Sequence, residues 1–372
     1  MSGNPPLLFT PGPTPIPPQV QAELSKPMIH HRSSEFEEIF ASLRNNLHLI
    51  SQTDGESVVF TGSGTAAMES VVSSMFEMGD HVVVVDAGKF GKRWSDICKR
   101  YELNVSAIQK PWGHAVTVED VMSEIMPSTR AVLVQACESS TGVYHPIEAI
   151  GKALNRYTKI LLVVDAITAF GIYPLSQRSH YIDILIGASQ KALMCPPGLS
   201  FVCLSKKALG QVHATTGMYL SLENELKSQI NNRPAFTPAI SLIRGMERAT
   251  EMILNEGRQY VYERHLKLQS LTRGCFKALG FQLLANDKDA SAGITAVHTI
   301  PGLDVEKWLK QLRDNHGLWL ASGQEQYKGK IFRMAHMGHC HERDLKAALN
   351  LIIKSLSQSL KTEQATEFLE NS

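Results

Sequence analysis

From about residue 57 the chain alternates short apolar runs with amphipathic stretches. ESVVF (56–60) leads into a helical pattern over 64–78, HVVVVD (81–86) into one over 90–101, and AVLVQA (131–136) into one over 146–156. KILLVVDA (159–166), DILIGAS (183–189) and LSFVCLS (199–205) follow. These runs are apolar on both parities, as in strands buried on both faces and covered by helices. They predict an α/β fold with a mainly parallel sheet. The connection before LSFVCLS is short and carries Pro196, Pro197 and Gly198, so one strand is expected to enter antiparallel.

Beyond about Thr237 the pattern changes to a long helical stretch over 239–278. GFQLL, GITAVHTI, a helix over 304–316, LWLAS, KIFRMA and a last helix over 341–358 come next. This predicts a smaller C-terminal α+β domain. The expected division is an extended Pro-rich arm (1–22), a large domain (23–258), a small domain (259–360) and a frayed tail (361–372), poor in apolar residues. Seven prolines between Pro5 and Pro18 make the arm unfit for a core element. Its Leu7, Leu8, Phe9 and Ile16 suit packing on this chain or a partner subunit, the other reading being a ligand for an SH3-like module.

Composition narrows the classes. With 37 Lys and Arg against 36 Asp and Glu, and no long block of like charge, nucleic acid is not an expected partner. No apolar run reaches the roughly 18 residues of a membrane span, and the proline-rich opening lacks the pattern of a secretion signal. Six scattered cysteines without CxxC pairing read as reduced thiols, so a cytoplasmic enzyme is expected.

Three features carry chemistry. In TGSGTAAME (61–69), Ser63, Gly64 and Thr65 open a helix, where free amides and the macrodipole favour a phosphate. A plain glycine turn with a capping hydroxyl is the alternative. Asp165 closes a very apolar run, so a buried carboxylate needs a cation or hydrogen-bond donors there, unless it only caps the next helix. Lys191 follows the next strand among small and apolar neighbours. Desolvation would lower its pKa toward that of a Schiff-base amine, whereas a snorkelling lysine is the bland reading. A phosphate cradle, a pyridinium partner and an imine-forming lysine are the set that pyridoxal 5'-phosphate requires.

On these residues the sequence resembles the class V, fold-type I aminotransferases, in particular the alanine–glyoxylate/serine–pyruvate group. TGSGTAAME, ESSTGV (138–143), VVDAIT (163–168), SQKALMCPPG (189–198) and FRMAHMG (332–338) carry the resemblance, with FTPGPTPIP (9–17) and HHRSSEF (30–36), so it spans nearly the whole chain. It implies that Lys191 holds pyridoxal phosphate and shuttles a proton, and that Asp165 pairs with the pyridine nitrogen. Ser63, Gly64, Thr65 and Gln190 match phosphate-cradle positions, Ser139 a position near the phenolic oxygen, and Phe90 a ring stacked on the pyridine. Thr237 matches a residue that reaches the neighbouring subunit's phosphate in a homodimer, with Phe236 competing for that place. Arg333 matches the group that binds the substrate carboxylate by a bidentate fork.

The implied reaction is a ping-pong transfer of an amino group from alanine, serine or aspartate to a 2-oxo acid such as glyoxylate or pyruvate. Alternatives are a lyase or cysteine desulfurase of the same fold, or a non-catalytic scaffold subunit. Three histidines and Cys340 within HMGHCH (336–341) read as a turn and helix cap, with no metal expected.

Overall fold

The computed structural model describes residues 6–215, 217–356 and 361–372. Positions 1–5 of the expected arm and 357–360 of the expected small domain lie outside the described residues. Seven strands form one sheet in the order Glu56–Thr61, Leu199–Leu204, Ile184–Ala188, Leu161–Asp165, Thr129–Gln135, His81–Asp86, Asn104–Gln109. All neighbours are parallel except Leu199–Leu204, which is antiparallel to both strands beside it. The connection over 189–198 is too short for a helical crossover, so the chain must turn back.

Apolar residues of both parities are used as the pattern predicts. Val82, Val84, Leu133, Val163 and Ile186 face Met68, Val71 and Trp94 on one side of the sheet. Val83, Val85, Val132, Val134, Leu162 and Val164 face Phe36, Phe40, Leu43 and Met246 on the other. Burying each of the larger side chains contributes about 1.5–3 kcal/mol, so the two helical layers lock the sheet and hold its C-terminal edge rigid.

A second, antiparallel sheet of Ile294–His298, Ile331–Ala335 and Ala321–Ser322 is backed by the helices Arg258–Ala278, Val305–His316 and Glu342–Ser355. Phe276, Phe332, Leu345 and Leu349 fill its core. The N-terminal segment packs on both sheets' cores. Leu7–Leu8 pairs in parallel with Leu318–Trp319, Phe9 is buried in the core that holds Phe276 and Phe332, and Val20 is buried in the core that holds Phe36 and Met246.

Four expectations are corrected. The arm is extended only as far as Pro17; Pro18–Leu24 is a helix, since proline is compatible with a first helical position. The stretch 239–278 is two helices, Ile240–Glu256 and Arg258–Ala278, parted at Gly257 with φ of 89°. GFQLL forms no strand beyond a single bridge from Leu283 to Val297. The tail does not fray, because Thr362–Asn371 is a helix with Ala365 and Leu369 buried. Phe368 occupies the space left by Gly274, where a β-carbon would lie 2.2 Å from the ring.

Candidate active site

The C-terminal edge of the large sheet gathers the residues with chemistry. Glu56–Thr61 ends in a tight turn, and the helix Gly64–Met75 starts at once. The Ser63 hydroxyl makes no capping bond, which leaves it and the first amides of that helix free for an anion. A β-carbon on Gly64 would stand 2.3 Å from Ile167, so only glycine lets the helix start approach the loop after Asp165.

Asp165 is the last residue of its strand, aligned with Gln135 on one side and Ile186 on the other. It is buried, and its Oδ1 accepts the Ile167 amide at 2.9 Å. Burial pushes its carboxyl up to about 6, against the pull of that hydrogen bond. Lys191 lies in the loop after Ile184–Ala188. Desolvation, aided by the Arg333 charge, brings its amine down to about 8. The amine donates to the carbonyl of Pro11 in the arm, and the Thr14 hydroxyl donates to the Lys191 carbonyl at 2.7 Å. Gly12 packs against the lysine stem: a β-carbon there would come within 2.8 Å of Lys191 Cδ and Nζ.

A cavity of about 230 Å³ joins Ser63, Gly64, Thr65, Phe90, Ser139, Asp165, Gln190 and Lys191. Eight of the nine residues expected around a cofactor therefore line one space. Thr237, the ninth, is exposed and outside this cavity, on a segment where Phe236 packs near Tyr219. Arg333 does not line it either; it sits in the middle of the strand Ile331–Ala335, 5% exposed. Its Nε and Nη2 donate to the Ser322 carbonyl at 3.1 and 2.8 Å, and its Nη1 to the Ser139 carbonyl at 2.9 Å. One N–H on each of Nη1 and Nη2 remains for a ligand. Burial lowers its guanidinium to about 10.

Some contributors were not singled out from the sequence. Arg93 lines the cavity, donates to the Thr65 hydroxyl at 3.1 Å and lies 4.9 Å over the Phe90 ring. Its place three residues after Phe90, on the same helical face, is the signal that could have found it. The Pro11, Ser139 and Ser322 carbonyls carry no side-chain signal at all. In the histidine-rich segment, His336 is not in a turn; it is buried, its Nε2 3.0 Å from the Thr295 hydroxyl. Among the described residues no group of three or more His, Cys, Asp or Glu is placed to hold a metal ion.

The cavity fits a flat, phosphorylated, basic heterocycle. It offers an anion site at a helix start, an aromatic face, a carboxylate at the end of a buried strand, and an amine. The Gln190 side-chain oxygen is buried in its wall without a hydrogen-bond partner.

Comparison with known proteins gives the same direction. The family model for aminotransferase class V matches residues 7–340. A protein named soluble hydrogenase, small subunit, from a Synechococcus species is 35% identical over 95% of this chain and 93% of its own. The serine–glyoxylate aminotransferase of Methylorubrum extorquens is 30% identical over 92% of this chain and 89% of its own. Among solved structures, an aspartate aminotransferase from Thermus thermophilus superposes with a TM-score of 0.89 at 30% identity, covering 94% of this chain and 99% of that one.

Proposed function

This chain belongs to the class V aminotransferase family, and from that premise we propose that it moves an amino group from alanine, serine or aspartate to a 2-oxo acid such as glyoxylate or pyruvate. Pyridoxal phosphate is the cofactor this family implies, and Lys191 is the residue assigned to hold it. The observation that carries the reading is the single cavity joining Asp165, Lys191, Phe90 and the Gly64 helix start, with Arg333 close enough to depress the lysine.

When bound, the cofactor supplies an electron sink and a carrier for the amine. The chain's own residues do the rest. Ser63, Gly64 and Thr65 take the phosphate at the helix start, with Arg93 adding positive charge beside them. Asp165 would hold the pyridine nitrogen in its protonated form, since a carboxyl raised by burial ionises readily only beside a cation. A lysine at about 8 is neutral in roughly a tenth of molecules at pH 7, far more than an ordinary lysine. That fraction serves as nucleophile, and the freed amine then moves a proton to and from the donor's α-carbon. The two spare N–H groups of Arg333 bind the α-carboxylate and so orient the α-C–H bond.

Neither Lys191 nor Arg333 is hydrogen-bonded to a carboxylate among the described residues; backbone carbonyls hold both. A carboxylate partner would neutralise the charge that an anionic substrate needs, whereas a carbonyl orients the cation and leaves it unpaid. The desulfurase alternative is disfavoured by Cys340, which is buried with its thiol pushed up to about 12, and by Phe90 in place of a histidine. The scaffold alternative leaves the convergence of Lys191, Asp165 and Arg333 without a purpose.

The test is the visible spectrum of the purified protein with pyridoxal phosphate, then with alanine, serine, aspartate and 2-aminoethylphosphonate singly and without acceptor. Conversion of the lysine-bound absorption to that of pyridoxamine phosphate by one donor establishes the half-reaction and names the donor. A protein that stays colourless overturns the reading. The expected homodimer is checked in the same preparation by light scattering, and a monomer that turns over would remove Thr237 from the site.

A further inference from the structure

Glu138 is a buried acid with no role in the chemistry above. It is 0% exposed, lies in the short strand Cys137–Glu138, and is in no ion pair among the described residues. Burying a carboxylate without a cation is costly unless donors surround it. Five do. Oε2 accepts the amides of Phe90 at 3.0 Å and Gly91 at 3.1 Å and the Gln135 side-chain amide at 3.1 Å. Oε1 accepts the Ser140 amide at 3.0 Å and the Ser140 hydroxyl at 2.5 Å. Four of the five are N–H groups that cannot accept in return, so the shell favours the ionised form and works against the burial that raises this carboxyl.

The surroundings make room for this one side chain. A β-carbon on Gly88 would fall 2.4 Å from Glu138 Cγ and Cδ, which explains a glycine just ahead of the Phe90 helix. The backbone carbonyl of Glu138 also closes the following turn by accepting the Thr141 and Gly142 amides at 3.1 and 2.9 Å. Ser139, inside that turn, presents the carbonyl that takes Arg333 Nη1. One residue thus ties the backbone under the aromatic ring to the backbone behind the guanidinium. Glutamine cannot replace it without turning an NH₂ toward N–H donors on one of its two sides.

We propose that Glu138 is a positioning residue for amino transfer: its carboxylate sets the Phe90 ring and, through Ser139, the Arg333 fork at a fixed separation. This rests on the roles given above to Phe90 and Arg333. Glu138 is not among the cavity residues, so it acts through these two and not on substrate. The separation matters because the fork must meet the donor's carboxylate while the α-carbon stands over the ring, so a shifted fork loses carboxylate affinity first and rate second.

The test compares holoenzyme of Glu138→Gln and Ser140→Ala with wild type, each normalised to cofactor-occupied sites by absorbance. Glu138→Gln is expected to raise the donor KM about tenfold or more per occupied site, with kcat reduced less, and to weaken pyridoxal phosphate binding only about threefold. Ser140→Ala, which removes one donor and leaves the backbone in place, is expected to show the same split at about threefold in KM. Per-site KM and kcat equal to wild type, with only the melting temperature lowered, would reduce Glu138 to a structural acid and overturn the proposal. If Glu138→Gln does not fold, an unchanged KM in Ser140→Ala overturns it instead. A wild-type protein that transfers no amine removes the underlying function as well, so the two failures are told apart.

Discussion

The floor and the rim of the cavity are built on different principles. The floor is made of side chains at strand ends: Asp165 closes its strand, Lys191 follows Ile184–Ala188, and Ser63 to Thr65 follow Glu56–Thr61. The rim is made of backbone carbonyls from segments far apart in sequence: Pro11 in the arm, Ser139 in a turn, Ser322 in the small sheet. The floor supplies reactive groups whose identity matters. The rim supplies acceptors whose position matters, and it aims the two cations without neutralising them. Substitutions on the floor should therefore remove chemistry, and substitutions on the rim should misaim the cation they hold, which moves substrate affinity at Arg333 and rate at Lys191.

The largest effect should come from Lys191→Ala. Turnover and the lysine-bound cofactor absorption are expected to vanish, a loss above about a thousandfold, while circular dichroism and melting temperature hold, since a desolvated amine is removed from a site that penalises its charge. Residual turnover near the wild-type rate would dissolve the distinction between floor and rim.

Asp165 gives a sharper test through pH. Its carboxyl stands at about 6 in the cofactor-free fold, against about 3.9 in the unfolded chain, so the native state holds the extra proton between those values. Stability from this group is thus lost as pH rises from about 4 to about 6, by about 3 kcal/mol at most. Urea unfolding of the cofactor-free protein should show wild type losing stability relative to Asp165→Asn over that window. A flat difference would mean that the buried carboxylate is not strained by its surroundings.

On the rim, Arg333→Ala is expected to lower kcat/KM about a hundredfold for donors with an α-carboxylate, about 2.7 kcal/mol, and to leave the pyridoxal phosphate dissociation constant within a few-fold. Loss of cofactor instead of donor affinity would move Arg333 to the floor. A smaller effect is expected from Gly12→Ala, where φ is 122° and the new β-carbon meets Lys191 at 2.8 Å. Displacing the lysine and straining the arm should reduce kcat about tenfold, for a conformational cost of about 1–3 kcal/mol. An unaltered rate would show that the arm merely rests on the lysine.

What was legible follows the same division. Apolar parity revealed the two-sided sheet because Val82 and Val84 must be buried on one face and Val83 and Val85 on the other. Asp165 and Lys191 stood out because a charge ending or following an apolar run is costly without a purpose. Glu138 lies within ESSTGV, where nothing local marks it as special. Its cost is met by amides 47 and 48 positions earlier, a pairing no local spacing reveals. The tail helix is hidden from local patterning for a like reason: its few apolar residues suffice only because Gly274 leaves space for Phe368.

Taken by itself, the sequence determined the layered α/β architecture and the reactive side chains, since both follow from local patterning and from the price of placing charge among apolar residues. Only the tertiary structure decided how those side chains are aimed. The arm laid across Lys191, the carbonyls that hold Arg333, and the amides around Glu138 are backbone groups, which every residue possesses. They become specific only when the fold brings distant segments together.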